Sequence, residues 1–255
     1  GNALKGRRHE MVIATKFGMP PMGGGGRPGM PAPAGPPQAP GSRRYIRQAV
    51  ERSLRALQTD YIDVYYQHFP DPQTPIAETL MALNELIRDG KVRYIGACNQ
   101  APWQVVEAYW TAKELGINGF VVNQTHYSLL ERGAEKEQLP ASAKYGIGVV
   151  PFFPLANGLL TGKYKRGQDA PAGTRLAARP GGLSNEVFDK LEPYQKFADE
   201  RGLSLLQVAI GGLAAQPAVC SVIAGATKPD QIQANAAAGE WVPSAQDLAA
   251  LNALA

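Results

Sequence analysis

The sequence predicts an α/β fold built on a parallel β-sheet, open or closed. Along its 255 residues, short β-branched or aromatic runs alternate with helical patterns, which is typical of such sheets. Four of the runs end in a polar residue, namely Lys16, His68, Asn99 and Gln124. Because parallel strand ends emerge on one face of the fold, where ligands bind, these side chains form the first candidate site.

The elements follow one another from the N-terminus. Strand patterns lie near 11–16, 61–66, 92–96, 119–123, 147–152 and 219–223. Helical patterns lie near 43–58, 75–89, 101–115, 134–145, 185–201, 204–215, 228–238 and 244–254. Ser42 is expected to cap the first helix, and Thr74 to cap the second with Pro75 at its first position. Gly90 and Gly116 are expected to end the second and third helices.

Two long loops interrupt this alternation, at 17–41 and 164–184. Both follow strand ends, so they are lids, substrate walls or plain insertions. Residues 24–29 (GGGRPG) match the dinucleotide fingerprint G-x-G-x-x-G. We reject that match, because no helix opens after it and Pro28 lacks the N–H that a pyrophosphate needs.

Composition excludes several classes of protein. The net charge of +4 is spread over helices that also carry acids, so no nucleic-acid surface is expected. No apolar run is long enough to span a membrane, and the N-terminal residues do not form a signal peptide. Two cysteines indicate a reducing, cytoplasmic location, and three histidines without a metal-binding motif indicate no metal site.

Each strand-end residue also has a plain structural interpretation. A lone histidine such as His68 is usually structural, and the amides of Asn99 and Gln124 could simply cap loops. Lys16 is more informative, because a charge at the end of a buried strand needs a partner or a task. The two amides suit a planar ligand with both a donor and an acceptor, such as a carboxamide.

A second candidate site lies near the C-terminus. A strand pattern ends, a turn follows at Gly225, and a helix opens at about Lys228. Thr227, Lys228 and the free N–H groups of that helix could bind a phosphate, with Gln231 and Asn235 on the same helix face. The alternative is an ordinary capped helix with a basic first residue.

Six stretches together resemble the aldo-keto reductase family, in the family's order. They are 12–18 (VIATKFG), 60–68 (DYIDVYYQH), 90–96 (GKVRYIG) followed by Asn99, 123–132 (NQTHYSLLER), 154–164 (PLANGLLTGKY) and 225–235 (GATKPDQIQAN). The resemblance implies a (β/α)8 barrel (TIM barrel) forming a single domain over residues 1–255. Only about six of the eight strands are expected here, because the family's N-terminal portion has no match in this sequence.

The resemblance also implies chemistry. The family mostly reduces aldehydes and ketones with NADPH, using an aspartate, a tyrosine, a lysine and a histidine. Lys16 matches the lysine, which lowers the pKa of the tyrosine that donates the proton, and His68 matches the histidine. The aspartate and the tyrosine belong to the unmatched portion, so we expect no useful turnover from these 255 residues alone.

The same resemblance assigns cofactor-binding residues. Asn99 and Gln124 match the groups that hold the nicotinamide carboxamide, and Cys98 stands where the family often has serine. The remaining matches are Phe152, which would stack on the nicotinamide; Leu155, Gly158, Leu160, Gly162 and Lys163 over the pyrophosphate; and Gly225, Thr227, Lys228, Gln231 and Asn235 at the adenosine. Thr227 and Lys228 suit a 2′-phosphate, which favours NADPH over NADH. A tryptophan common in the family near Gly212 is absent, which leaves the local packing in question.

Three functions therefore remain open. The first is an NADPH-dependent reductase of an aldehyde, a ketone or a quinone-like carbonyl, with a small-molecule substrate and no nucleic-acid or membrane partner. The second is an NADPH-binding regulatory subunit of low or no turnover, like the β subunits of potassium channels. The third is a phosphate-binding lyase or isomerase, supported only by the turn at Gly225. Nothing in the sequence excludes a homo-oligomer.

Overall fold

The computed structural model describes residues 1–19, 39–178 and 182–254. The chain divides into two compact units, one of residues 1–124 with 145–147 and the other of residues 125–144 with 148–255. The rejected glycine motif at 24–29 and most of the loop 17–41 lie outside the described residues, as does part of the loop 164–184. The expectation of a single domain stays a prediction.

Strands and helices alternate from β1 to β5 as the sequence pattern indicates, and four α-helices then follow one another. The strands are β1 (Ala14–Phe17), β2 (Ile62–Gln67), β3 (Val92–Cys98), β4 (Val122–His126) and β5 (Gly148–Phe152). The helices are α1 (Arg43–Leu57), α2 (Ile76–Arg88), α3 (Pro102–Glu114), α4 (Gln138–Tyr145), α5 (Asn185–Asp199), α6 (Leu205–Ala214), α7 (Pro229–Ala238) and α8 (Ala245–Asn252).

In the first unit, β1, β2, β3 and the start of β4 form a parallel sheet in chain order. The register pairs Lys16 with Tyr66 and Cys98 with Gln124, so the predicted site residues lie at one edge of this sheet. Helices α1, α2 and α3 pack on it through an apolar core. The largest fully buried members of that core are Tyr65, Ile46, Ile62, Leu80, Leu83, Leu86, Ile95 and Val50.

The second unit has its own core around β5. The predicted sixth strand, 219–223, is extended chain that joins β5 through a single parallel bridge between Val149 and Val219. The N–H of Tyr127, just after β4, donates to Phe152 O at the end of β5. Buried side chains of the core include Tyr127, Val149, Leu160, Phe188, Leu191, Tyr194, Phe197, Val208, Leu213 and Leu251.

Most helix boundaries follow the local signals. The Ser42 side chain accepts from the Tyr45 N–H, and Gly90 and Gly116 follow α2 and α3 with φ of 72° and 63°. The expected cap of α2 is wrong: Pro75 itself is the N-cap, without a side-chain bond. The Thr74 hydroxyl donates instead to Asp71 at 2.7 Å, a carboxylate that also accepts from the Gly41 N–H.

Candidate functional site

The ends of β1 to β4 bring the predicted strand-end residues of the first unit together. The His68 N–H donates to Phe17 O at 2.8 Å, and the Asn99 side chain donates to His68 O at 3.0 Å. The Asn99 N–H donates to Gln124 O at 3.2 Å. Three of the four predicted residues are therefore joined by hydrogen bonds.

Asn99 has a backbone conformation that turns its side chain back toward the sheet. Its φ is 56°, in the left-handed region that asparagine tolerates better than most residues. In this position its Nδ2 donates to both His68 O and Cys98 Sγ. Its Oδ1 has no hydrogen-bond partner among the described residues and is available as an acceptor.

Gln124 is the matching amide on β4. The residue is only 4% exposed, and its Oε1 accepts a weak bond from the Cys98 thiol at 3.9 Å. Within the part of the chain that the structure describes, its Nε2 has no partner and is available as a donor. The two amides thus leave one acceptor and one donor unused.

Lys16 and His68 are half-buried at the same strand ends. The Lys16 Nζ lies 6.0 Å from the centre of the Tyr66 ring, close enough for a cation–π contact. The His68 ring lies against Phe69, with 4.8 Å between ring centres. Burial raises the pKa of the Cys98 thiol to about 11, although the Lys16 charge acts in the opposite direction. The Lys16 ammonium group is therefore close enough to Cys98 for its charge to act on the thiol.

Sequence reasoning missed two supporting residues in this unit. Gln67 and Gln100 are buried next to His68 and Asn99, and Gln100 Nε2 donates to Gln67 Oε1 at 3.0 Å. This bond ties the end of β2 to the residue after Asn99. The sequence did contain a signal for them, because each of these glutamines directly adjoins a predicted site residue, His68 or Asn99.

In the second unit, Phe152 ends β5. Its ring stacks against His126, with 5.4 Å between the ring centres and 6° between the ring planes. The following residue, Phe153, has a φ of 56° and is half exposed. The proposed stacking of Phe152 on a nicotinamide is not tested by these contacts and stays a prediction.

The segment after β5 folds into tight turns around Ala156–Thr161. Leu155 O accepts from the N–H groups of Gly158 and Leu160, and the Leu160 side chain is fully buried. Gly158 and Gly162 have φ of 95° and 78°. Glycine adopts such positive φ angles far more readily than residues with a side chain, so both positions favour glycine.

The side chain of Lys163 lies next to Gly158. A Cβ on Gly158 would be 2.9 Å from Lys163 Nζ, so only glycine lets the ammonium group come so close to the main chain. Sequence reasoning missed Arg175, which donates to Asn157 Oδ1 at 3.3 Å and adds a second positive charge beside the segment. No sequence motif marked Arg175, because it lies in the irregular loop 164–184.

The turn before α7 has the form that the sequence predicts. The helix begins at Pro229, with Lys228 as its N-cap, and Thr227, Lys228 and Gln231 are exposed. Gln231 Oε1 accepts from both the N–H and the hydroxyl of Thr227, so this side chain holds the turn. A Cβ on Gly225 would meet nothing within 4 Å, and Asn235 is half-buried on the helix.

Other side chains pack against α6 near Gly212, where the tryptophan common in the family is absent. A Cβ on Gly211 would be 2.4 Å from Trp241 O and 2.7 Å from its ring, and one on Gly212 would be 2.5 Å from Leu251. Trp241, from the segment after α7, therefore covers this part of α6. A tryptophan is present, but it comes from another part of the chain.

These groups fit a nicotinamide dinucleotide. A primary carboxamide offers an N–H2 donor and a C=O acceptor, which complement the unused Asn99 Oδ1 and Gln124 Nε2. In the second unit, the Lys163 ammonium above Gly158 and the exposed Lys228 supply positive charge of the kind that phosphates need. The amides of the first unit fit the carboxamide, and the lysines of the second unit fit the phosphates; each comparison is made within one unit.

The whole chain, residues 1–255, matches the model of the aldo/keto reductase family. The chain belongs to this family. Its fold class is therefore the (β/α)8 barrel, and the alternating strands and helices from β1 to β5 correspond to part of that barrel. Within the described residues, none of the helices has the length and apolar character needed to cross a membrane.

Relatives of this chain include both enzymes and channel subunits. It is 37% identical over 244 residues to a probable voltage-gated potassium channel subunit beta of Arabidopsis thaliana, covering 93% of this chain and 70% of the relative. It is 31% identical to the L-glyceraldehyde 3-phosphate reductase of Escherichia coli K12, over 89% of this chain and 64% of the enzyme. It is 37% identical to the NADH-specific methylglyoxal reductase of the same bacterium, over 76% of this chain and 59% of the enzyme.

Proposed function

We propose that the protein is an NADPH-dependent oxidoreductase that reduces an aldehyde, a ketone or a quinone-like carbonyl. The observation that carries the proposal is the pair of amides at the ends of β3 and β4, with one acceptor and one donor unused. Lys16 and His68, at the ends of β1 and β2, add groups suited to carbonyl chemistry. Family membership and the two reductase relatives support an oxidoreductase.

In this proposal, the first unit binds the reactive end of the cofactor. Asn99 Oδ1 accepts from the carboxamide N–H2, and Gln124 Nε2 donates to the carboxamide oxygen. The Asn99 amide is held by the main chain at His68 O, and Gln124 is buried beside Cys98, so the nicotinamide ring is oriented with little reorganisation of the protein. Phe152 would stack on the ring, as the resemblance implies.

The second unit binds the phosphates and the adenosine. Leu155, Gly158, Leu160, Gly162 and Lys163 would follow the pyrophosphate, and Gly225, Thr227, Lys228, Gln231 and Asn235 the adenosine. The exposed Lys228 suits a 2′-phosphate, which favours NADPH, and the Thr227 hydroxyl would join it by exchanging its bond to Gln231 Oε1 for one to the phosphate. Because one relative is NADH-specific, both nucleotides belong in the test.

The bound cofactor would supply a hydride to the carbonyl carbon. The His68 side chain would donate a hydrogen bond to the carbonyl oxygen and orient it. The Lys16 ammonium would stabilise the negative charge that develops at the proton donor. These roles predict loss of turnover, with nucleotide binding retained, when Lys16 loses its charge.

A second candidate is an NADPH-binding regulatory subunit of low or no turnover. The similarity to the A. thaliana channel subunit favours it. It requires the same nucleotide contacts but no carbonyl reduction, and it requires a protein partner. Turnover therefore separates the two functions, whereas nucleotide binding does not.

The test measures nucleotide binding in the 255-residue chain and turnover in the complete gene product, because no tyrosine of these 255 residues matches the family's proton donor. Titration with NADPH, NADH and a sugar phosphate, followed by fluorescence, is expected to show tightest binding of NADPH and none of the sugar phosphate. Oxidation of NADPH in the presence of methylglyoxal, a ketone and a quinone is expected to be catalytic. Binding without turnover would support the subunit, and binding of the sugar phosphate alone would contradict both.

A further inference from the structure

The outer face of α3 carries tryptophan and glutamate in alternation. Trp103, Glu107, Trp110 and Glu114 follow one another at helical spacing, which places them in one row along the helix. The two indole rings are 65% and 58% exposed, and both glutamates are exposed. Neither glutamate forms an ion pair among the described residues. Exposed tryptophans grouped in this way are typical of a surface that binds another protein.

Two tyrosines hold Trp110 in place. Its ring packs edge-on against Tyr109 and Tyr145, with 5.4 and 6.3 Å between the ring centres. All three residues belong to the first unit. An aromatic side chain that is already ordered loses little conformational entropy when a partner covers it. This face of α3 is therefore ready to bind a partner without rearrangement.

The arginines of α1 include two that are paired within the unit and two that are not. Arg43 and Arg47 each contact Glu85 of α2, at 2.9 Å. Arg44 and Arg55 are exposed on the outer face of α1 and have no carboxylate partner among the described residues. The second pair is therefore available to a group from outside the unit.

The other charged residues of α1 leave this face positive. Glu51 is the only acid of the helix, and it already pairs with Lys91. Arg52 lies 5.7 Å from the centre of the Tyr45 ring and adds a further positive charge. The outer face of α1 is therefore a surface of arginines whose own helix offers them no free carboxylate.

The outer faces of α1 and α3 complement each other. A guanidinium group stacks well on an indole ring and pairs well with a carboxylate, and α3 offers both. Helices α1 and α3 pack on the same sheet with α2 beside each of them, so their outer faces point away from that sheet. The two faces of one copy therefore cannot meet, whereas α1 of one copy can meet α3 of another.

We propose that the protein associates with itself through these faces, with the arginines of α1 in one copy on the tryptophans and glutamates of α3 in another. The contact is independent of the proposed function, because no residue of the candidate site takes part in it. Two copies related by a two-fold axis would make it twice, and a closed ring of copies would make it once with each neighbour. Since α1 has 15 residues, each contact is small. Association is therefore expected at concentrations on the order of 10 μM.

The test exchanges the charges of the two faces in the complete gene product. One variant carries Arg44→Glu with Arg55→Glu, and the other carries Glu107→Arg with Glu114→Arg. Each variant alone brings like charges together at the contact, so its self-association should weaken by about 100-fold. In an equal mixture, opposite charges meet again at every contact, and association should return. Sedimentation velocity measures the masses over a range of concentrations.

Two further variants serve as controls. Lys136→Glu with Lys190→Glu makes the same change of net charge as the α1 variant, at exposed positions of the second unit, and should associate like the wild type. Trp103→Gln leaves the charge unchanged and removes one ring, so association should weaken by about tenfold. Thermal unfolding is measured for every variant, and unchanged midpoints are expected because the substituted side chains are exposed.

Return of association in the mixture would support the proposal, since misfolded variants could not provide it. A wild type that remains monomeric up to about 1 mM would overturn the proposal, and the two faces would then belong to a different partner. A mixture of folded variants that stays dissociated would overturn it as well. So would equal weakening in the Lys136 and Lys190 control, because overall charge rather than these faces would then govern association.

Discussion

The two units present their candidate binding residues in different ways. In the first unit, Asn99 and Gln124 belong to strand ends and are held by hydrogen bonds to neighbouring strands. In the second unit, Gly158 lies in a tight turn with a positive φ angle. Lys228 is the exposed N-cap residue of α7 and contributes a positive charge to the surface. The first arrangement fixes directions of hydrogen bonds, and the second provides charge and main-chain shape.

This difference matches the two tasks that we assign. A carboxamide must be held in one orientation for a hydride to leave from one face, which calls for rigid, directional partners. Phosphates are recognised mainly by charge and N–H groups, which loops supply well. Changes in the first unit should therefore alter chemistry or orientation, and changes in the second should alter affinity.

The largest effect is expected from Lys16→Met, which removes the charge at the end of β1. In the complete gene product, the turnover number for carbonyl reduction should fall by about 100-fold or more, because charge stabilisation at the proton donor is lost. The dissociation constant of NADPH should stay unchanged. Steady-state kinetics and fluorescence titration measure the two, with the exposed Lys5→Met as control. Equal losses in both quantities would contradict the division of tasks.

Gly96→Ala tests how rigid the first unit is. A Cβ at this position on β3 would lie 2.6 Å from the Tyr66 ring and 2.9 Å from Val122 Cγ1. The free energy of unfolding should fall by about 1–3 kcal/mol, as for other overpacked sites. Urea denaturation measures it against Gly119→Ala, whose Cβ would meet only Ala112, at 3.2 Å. Equal stability of the two variants would show that the strand ends give way easily.

Lys228→Glu tests charge recognition in the second unit. If Lys228 binds the 2′-phosphate, the preference for NADPH over NADH should fall by about tenfold, with little change for NADH. Lys190→Glu makes the same charge change at an exposed position on α5 of this unit. Should both variants lose the preference equally, only the overall charge would be responsible.

The smallest effect is expected from Gly158→Ala. Its Cβ would displace Lys163 Nζ, and the affinity for NADPH should weaken by about fivefold. Gly167→Ala is the matched control, because its φ of 72° is also positive but its Cβ would meet nothing within 4 Å. Calorimetry compares the two variants. Equal weakening in both would mean that backbone strain, rather than the place of Lys163, controls binding.

The spacing of the apolar residues, together with the serine and glycine signals at helix ends, predicted most of the fold. Within the described residues, the eight α-helices lie where the sequence places them, and Ser42, Gly90 and Gly116 act as their local signals indicate. Thr74 does not cap α2, because Pro75 takes the N-cap position and the Thr74 hydroxyl donates to the buried Asp71. That outcome depends on a tertiary contact, which local sequence does not contain.

Within the candidate site, the sequence indicated which residue types end the strands but not how their polar atoms point. The contacts of Asn99 and Gln124 with Cys98 depend on the φ of Asn99 and on the register of β3 with β4, which local sequence does not contain. Arg175 and Trp241 were missed for a related reason, since each acts on a segment distant in sequence. The two units thus differ in predictability: strand ends were found by pattern, loop partners were not.

The most direct test of this division of tasks uses two halves of the cofactor. Reduced nicotinamide mononucleotide and adenosine 2′,5′-bisphosphate are titrated separately into the labelled protein, and NMR shifts are mapped onto the residues. The first should shift the side-chain amides of Asn99 and Gln124, and the second the backbone signals of Gly225, Thr227 and Lys228. Shifts of the same residues by both fragments, or of neither set, would contradict the account.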